Sequence, residues 1–164
     1  MKLENSHLIV KKAKNGKGLF SKKNFKRGEK IFTLKGKIIT NAKFMEYPKK
    51  IRDNCFRFNG ASYLSPEGKF GDFINHSCTP NCGIKKSKGK LFIESLKKIK
   101  PGEELVFDYS TILASDDFWK MKCNCGEKNC RKVIEQFKLL PINIQKKYLS
   151  LKTVPKYILK NYTI

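Results

Sequence analysis

No run of apolar residues in this 164-residue chain approaches the roughly 20 needed to cross a bilayer, which excludes a membrane-spanning helix. Nor does the stretch from Met1 to Val10 carry a basic segment followed by an apolar one, so no export signal is read there and a soluble, intracellular chain is expected. Linkers rich in Pro, Gly or Ser, low-complexity tracts and internal repeats are also missing, which leaves one compact domain as the expectation at this length. Acidic residues are scarce: 14 Asp and Glu stand against 36 Lys and Arg, a formal net charge of +22. Arginine is scarcer still, with only Arg27, Arg52, Arg57 and Arg131. Since arginine is the usual bidentate reader of phosphate and guanine, its scarcity argues against sequence-specific nucleic-acid recognition. Non-specific association with nucleic acid remains the electrostatic expectation. A compositional bias toward Lys, Ile and Asn accounts for the same charge without any function.

What is present suffices for a core, with 40% hydrophobic and 12% aromatic residues. The first half reads as short strands broken by turns: Leu8–Lys11, Gly18–Ser21 and Lys30–Ile39, then Tyr63–Leu64, Cys82–Lys86, Leu91–Ser95 and Leu105–Tyr109. Helical spacing dominates only late, over Val133–Leu140, Ile142–Leu151 and Val154–Tyr162, punctuated by Pro141 and Pro155. The fold class expected is mostly β with a short C-terminal helical tail.

Six cysteines allow disulfides in principle, but Cys123, Cys125 and Cys130 form a C-x-C-x4-C cluster too tight for three cross-links and suited to one metal ion. A reducing compartment follows. Three thiolates need one more ligand to close a tetrahedral structural zinc site, and Cys55, Cys78 and Cys82 are the remaining cysteines.

Three further segments draw attention. Gly16-Lys17-Gly18-Leu19-Phe20 is, alone, no more than a tight turn signal. Phe73-Ile74-Asn75-His76-Ser77-Cys78-Thr79-Pro80-Asn81-Cys82 packs Asn, His, Ser and Cys behind an apolar pair, although a histidine there serves equally well as a core residue satisfied by carbonyls. Gly102-Glu103-Glu104-Leu105-Val106-Phe107-Asp108-Tyr109 alternates so that Leu105, Phe107 and Tyr109 share one strand face, ordinarily a sign of core packing. Between Glu103 and Trp119 lie five acidic residues and no Lys or Arg. That island is either a solvated loop or a groove for a cationic peptide.

Taken together and in this order, these segments resemble the SET-domain family of protein-lysine methyltransferases. The strings N-H-S-C-x-P-N and G-E-E-L-x-F-D-Y stand at Asn75–Asn81 and Gly102–Tyr109, and Cys123–Arg131 resembles the family's post-SET segment. The resemblance implies small curved sheets around a knot-like crossing, with a SET domain over 1–115, a post-SET zinc-binding segment over 116–132 and a C-terminal helical extension over 133–164. It implies S-adenosylmethionine as methyl donor, with Gly16, Lys17, Gly18 and Leu19 at its amino-acid end and Asn75, His76 and Tyr109 against the rest. Tyr109 is the catalytic residue so implied. Phe107 falls where the family carries Tyr or Phe, and Phe leaves room for di- or trimethylated products. Cys78 is the implied fourth zinc ligand, with Cys82 and then Cys55 as rivals. Phe56, Phe58 and Tyr63 are candidates for the channel wall or for plain core.

The implied substrate is a lysine of a histone or another basic protein, with the nucleus or chromatin as the implied location, and the oligomeric state, monomer or homodimer, stays open. Asp72 departs from the family, many of whose members carry Arg before Phe-Ile-Asn-His. The competing readings are a non-catalytic SET-like module that binds chromatin or nucleoprotein, and a zinc-stabilised nucleic-acid-binding protein.

Overall fold

A computed structural model describes residues 3–65, 67–117 and 119–160. Its elements are short. Strands β1 (Leu8–Ala13) and β2 (Gly16–Ser21) form an antiparallel hairpin closed by Lys14 and Asn15, with Gly16 at φ +87°, a conformation that favours glycine. Strands β3 (Lys30–Thr33) and β4 (Lys37–Thr40) divide what the sequence reads as one strand, and they enter different sheets. After them come two short helices absent from the sequence reading, α1 (Asn41–Glu46), capped by the Thr40 hydroxyl, and α2 (Lys49–Arg52). Neither buries a residue, so their apolar spacing is too sparse to announce them.

Strands β5 (Phe56–Arg57) and β6 (Ser62–Ser65) join β4 in the order β4-β6-β5. Next come β7 (Asn75–His76), β8 (Cys82–Ser87) and β9 (Lys90–Ser95), the last two forming with β3 a sheet ordered β3-β9-β8. Strand β10 (Val106–Phe107) pairs in parallel with β7, Val106 opposite Asn75 and Phe107 opposite His76. Parallel neighbours require a crossover, and here the β8–β9 hairpin fills it. This pairing brings the two motifs side by side. Asn81 pins it from the flank, its Nδ2 donating to the Glu104 carbonyl at 2.8 Å and its Oδ1 accepting from Val106 N–H at 2.9 Å.

The tail departs from expectation at its start. The spacing over Val133–Leu140 predicts a helix, but β11 (Met121–Lys122) pairs with β12 (Val133–Ile134), and a 3₁₀ turn follows at Phe137–Leu139. The apolar side chains divide between two cores: Ile134 packs with Cys78 and Cys123, whereas Phe137 and Leu140 pack with Tyr148, Val154 and Ile158. A helix would have sent them to one face. Strand β12 therefore closes the cysteine segment, and the helical extension proper begins with α3 (Ile142–Ser150), followed by α4 (Lys156–Leu159). The end of the expected Val154–Tyr162 helix, residues 161 and 162, lies outside the described residues.

The main core gathers Leu19, Phe25, Ile84, Ile93, Leu105 and Phe107 among others, so the strand that carries the G-E-E-L motif runs through its middle. Among the described residues no helix is long and apolar enough to cross a membrane.

Candidate active site

Two kinds of cleft flank the β7–β10 pair. One is apolar, about 90 Å³, with Phe56, Ile74, Phe107, Tyr109 and Trp119 in its walls. On the other side lie two adjoining polar cavities of about 290 and 330 Å³, both walled by Asn15, Asn75, His76 and Cys125. Tyr109 belongs to the apolar cleft and to one of the polar cavities. That shared wall is the geometric centre of the site.

The Tyr109 hydroxyl donates to the Ile74 carbonyl at 2.7 Å. Burial, with a smaller push from the Glu104 charge, raises its pKa well above the ordinary phenol value, so it stays a neutral phenol. With its proton committed to Ile74, its oxygen lone pairs remain to accept. The Tyr109 ring sits against Phe107 (4.8 Å between centroids), His76 (5.3 Å) and Trp119 (6.2 Å).

His76 is buried, and its Nδ1 accepts from the Tyr109 backbone N–H at 3.2 Å, which places the ring proton on Nε2, 3.4 Å from Cys78 Sγ. Burial lowers the His76 pKa to about 4, outweighing the nearby Asp108. It is a neutral spacer between Tyr109 and the cysteines.

Asn75 bridges two motifs: its Nδ2 donates to the Lys17 carbonyl at 3.1 Å and to Glu104 Oε1 at 2.6 Å. A side chain at Gly18 would collide with the Glu104 carboxylate and with Ala13 Cβ, which is why this position is glycine. Leu19 points into the core, fully buried, while its carbonyl accepts from Leu105 N–H at 2.7 Å. Gly16 and Lys17 are exposed at the start of β2. The turn residues that line the polar cavities are Lys14 and Asn15, which the sequence reading passed over because it stopped at the G-x-G string.

Cys78, Cys123, Cys125 and Cys130 place their Sγ atoms within 4.8 Å of one another, with Cys78 and Cys123 3.7 Å apart. A tetrahedral zinc with bonds of about 2.3 Å requires sulfur separations of about 3.8 Å, so the donor set fits that ion. The two rivals lie elsewhere: Cys82 is buried in the main core, its thiol pushed up to about 12 by desolvation, and Cys55 lines the apolar cleft. Phe56 and Tyr63 also line that cleft, whereas Phe58 packs on the main core under the Lys86 ammonium.

The acidic island is not an open groove, because each of its five carboxylates is engaged inside the chain. Glu103 accepts from Lys100 N–H, and Glu104 holds Asn75. Asp116 and Asp117 both pair with Arg57. Asp108, 1% exposed, accepts from Arg131 Nη2 at 2.7 Å, Tyr148 Oη at 2.8 Å and Ser110 N–H at 3.1 Å. Sequence reasoning missed Asp108, Arg131 and Tyr148 as a unit, since nothing in their spacing signals contact. Trp119, the sole tryptophan, was a signal available and unused; its Nε1 donates to Asp53 at 2.9 Å across the apolar cleft.

The SET domain family model matches residues 16–110. Human "Histone-lysine N-methyltransferase 2B" is 31% identical over 138 residues, covering 77% of this chain and 5% of that protein. "Histone-lysine N-methyltransferase, H3 lysine-36 specific" of Gibberella zeae is 31% identical over 134 residues, 74% of this chain and 14% of that protein. "Histone-lysine N-methyltransferase trithorax" of Drosophila melanogaster is 30% identical over 131 residues, 73% and 3%. The chain thus spans a small part of the length of each of these relatives.

Proposed function

This chain belongs to the SET-domain family, and on that premise we propose that it is a protein-lysine N-methyltransferase that uses S-adenosylmethionine and carries its substrate to the di- or trimethyl state. The observation that carries the reading is the position of Tyr109 in the walls of both the apolar cleft and a polar cavity. Lysine enters from the apolar side. Asn15, Asn75 and His76 line the side where the donor's polar groups would be held.

When bound, the donor supplies a methyl group activated on a sulfonium. The chain's task is to present a neutral amine to it. Releasing the lysine proton from a reference pKa of about 10.4 costs roughly 4 to 5 kcal/mol at pH 7. Phe56, Phe107 and Trp119 strip water from the ammonium and thereby favour its neutral form. Tyr109 accepts from the amine through its free lone pairs and fixes its direction, so positioning lowers the barrier further. Phe107 is buried and has no hydroxyl to anchor water or a singly methylated amine, which leaves room for further methyl groups.

Cys78, Cys123, Cys125 and Cys130 would hold a structural zinc ion, with Cys78 on the same segment as Asn75 and His76, so metal binding and site assembly are linked. The substrate class is a histone or comparable basic protein, and the location nuclear or chromatin-bound, in keeping with relatives whose names specify histone lysine.

The test is transfer of label from S-adenosylmethionine to a panel of histones and basic proteins. Transfer that is lost in Tyr109→Phe and after zinc chelation supports the reading. Donor binding without transfer to any protein leaves the non-catalytic module as the better account.

A further inference from the structure

The apolar cleft contains three carboxylates, Asp53, Asp72 and Asp117, and two guanidinium groups, Arg52 and Arg57. Four of these five charges have partners within the chain. Asp53 accepts from Trp119 and pairs with Lys49. Asp117 pairs with Arg57, whose other contacts go to Asp116. Arg52 lies over the Phe44 ring and reaches Met45 Sδ.

Asp72 differs. Its Oδ2 accepts from Gly68 N–H, but Oδ1 is buried with no hydrogen-bond partner. Leaving a buried carboxylate oxygen without a donor is costly, and such atoms are rare in folded proteins. Burial first, and the charge of Glu67 after it, raise the Asp72 pKa, the mark of a carboxylate short of compensating partners. No cation of the cleft turns toward it. Asp72 also stands where many members of the family carry a cation, so the local sign is reversed in this chain.

We infer that Asp72 is a substrate-binding carboxylate of the lysine cleft, whose Oδ1 accepts a hydrogen bond from a cationic side chain of the substrate peptide. The inference rests on the lysine-methyltransferase reading for what enters the cleft. The cation is either the target lysine or a basic residue beside it, and both present the N–H donor that Oδ1 lacks. Asp72 thus selects for basic substrates, a property the paired acidic island cannot supply.

The experiment measures peptide binding by fluorescence anisotropy with the zinc-loaded full chain. One pair of peptides has lysine or norleucine at the target position, and another has arginine or its neutral isostere citrulline at the flanking positions. Wild type is expected to prefer the cationic member of at least one pair about tenfold, equivalent to about 1.4 kcal/mol. Asp72→Asn, which keeps an acceptor for Gly68 N–H, is expected to bring that ratio within about twofold. Asp72→Ala serves as a second variant, and zinc content and melting temperature certify the fold of both. A ratio unchanged in Asp72→Asn and Asp72→Ala, or no preference in wild type, overturns the inference. Methyl transfer is read separately on the lysine peptides. Asp72-dependent binding without transfer would refute the reaction and keep the subsite; transfer indifferent to Asp72 would do the reverse.

Discussion

Replacing Tyr148 with Phe deletes one hydroxyl, about 20 residues beyond the cysteine cluster in the chain and outside both clefts, yet it should be felt in the site. That hydroxyl donates at 2.8 Å to Asp108, which immediately precedes Tyr109 and which also receives the Arg131 guanidinium. Tyr148 and Asp108 are 2% and 1% exposed, so water cannot replace the lost donor. A hydrogen bond to a charged acceptor contributes about 1.5 to 3 kcal/mol. For a domain of this size each kcal/mol corresponds to roughly 2 to 4 °C in melting temperature, so a loss of about 2 kcal/mol should lower it by about 4 to 8 °C. Thermal unfolding followed by circular dichroism reads this directly. Asp108→Asn should cost more, about 3 to 5 kcal/mol, because it leaves the half-buried Arg131 charge without its partner. The double variant should fall short of the sum, since both changes break one network. A Tyr148→Phe melting temperature within a degree of wild type, or strict additivity with Asp108→Asn, would refute the claim that α3 braces the tyrosine-bearing segment.

Other outcomes follow from the same geometry. Tyr109→Phe should reduce methyl transfer by at least a hundredfold while costing only about 1 kcal/mol of stability, the bond to the Ile74 carbonyl; comparable losses in turnover and melting temperature would assign it a merely structural role. Gly18→Ala drives a methyl group into Glu104 and so disturbs its bond to Asn75, and calorimetric titration with S-adenosylhomocysteine should show affinity weakened at least tenfold. Alkali should destabilise the fold from about pH 10 upward. Tyr109, Tyr148 and Tyr157 have folded-state pKa values raised chiefly by burial, so their contribution is whole below the unfolded value of about 10 and is lost as pH climbs toward the folded one. Lysine deprotonation in the same range is common to wild type and variants, so the test is a shallower fall of melting temperature with pH in Tyr148→Phe and Tyr157→Phe. Cys78→Ser should abolish stoichiometric zinc, measured by elemental analysis, whereas Cys82→Ser should leave it intact.

Much of the site was legible because its chemistry sits in contiguous strings. Asn75, His76 and Cys78 occupy one segment and Phe107 and Tyr109 another, and the β7–β10 pairing joins them. The hairpins were legible for a similar reason, as strand and turn signals fall within a few residues. The α1–α2 segment was not, because helices with no buried face leave no periodicity to read. The mistaken helix at Val133 shows the converse: helical spacing arose from residues serving two separate cores. The acidic island looked like a free surface because its partners, Arg57 and Arg131, lie far away in sequence. Charge counted along a chain does not reveal pairing across it.

The most direct measurement is mass spectrometry of histones incubated with S-adenosylmethionine and either wild type or Tyr109→Phe. The account predicts lysines carrying two or three methyl groups with wild type and none with the variant. Equal modification by both proteins, or none by wild type that nevertheless binds donor and zinc, would contradict a methyl-transfer centre built around Tyr109.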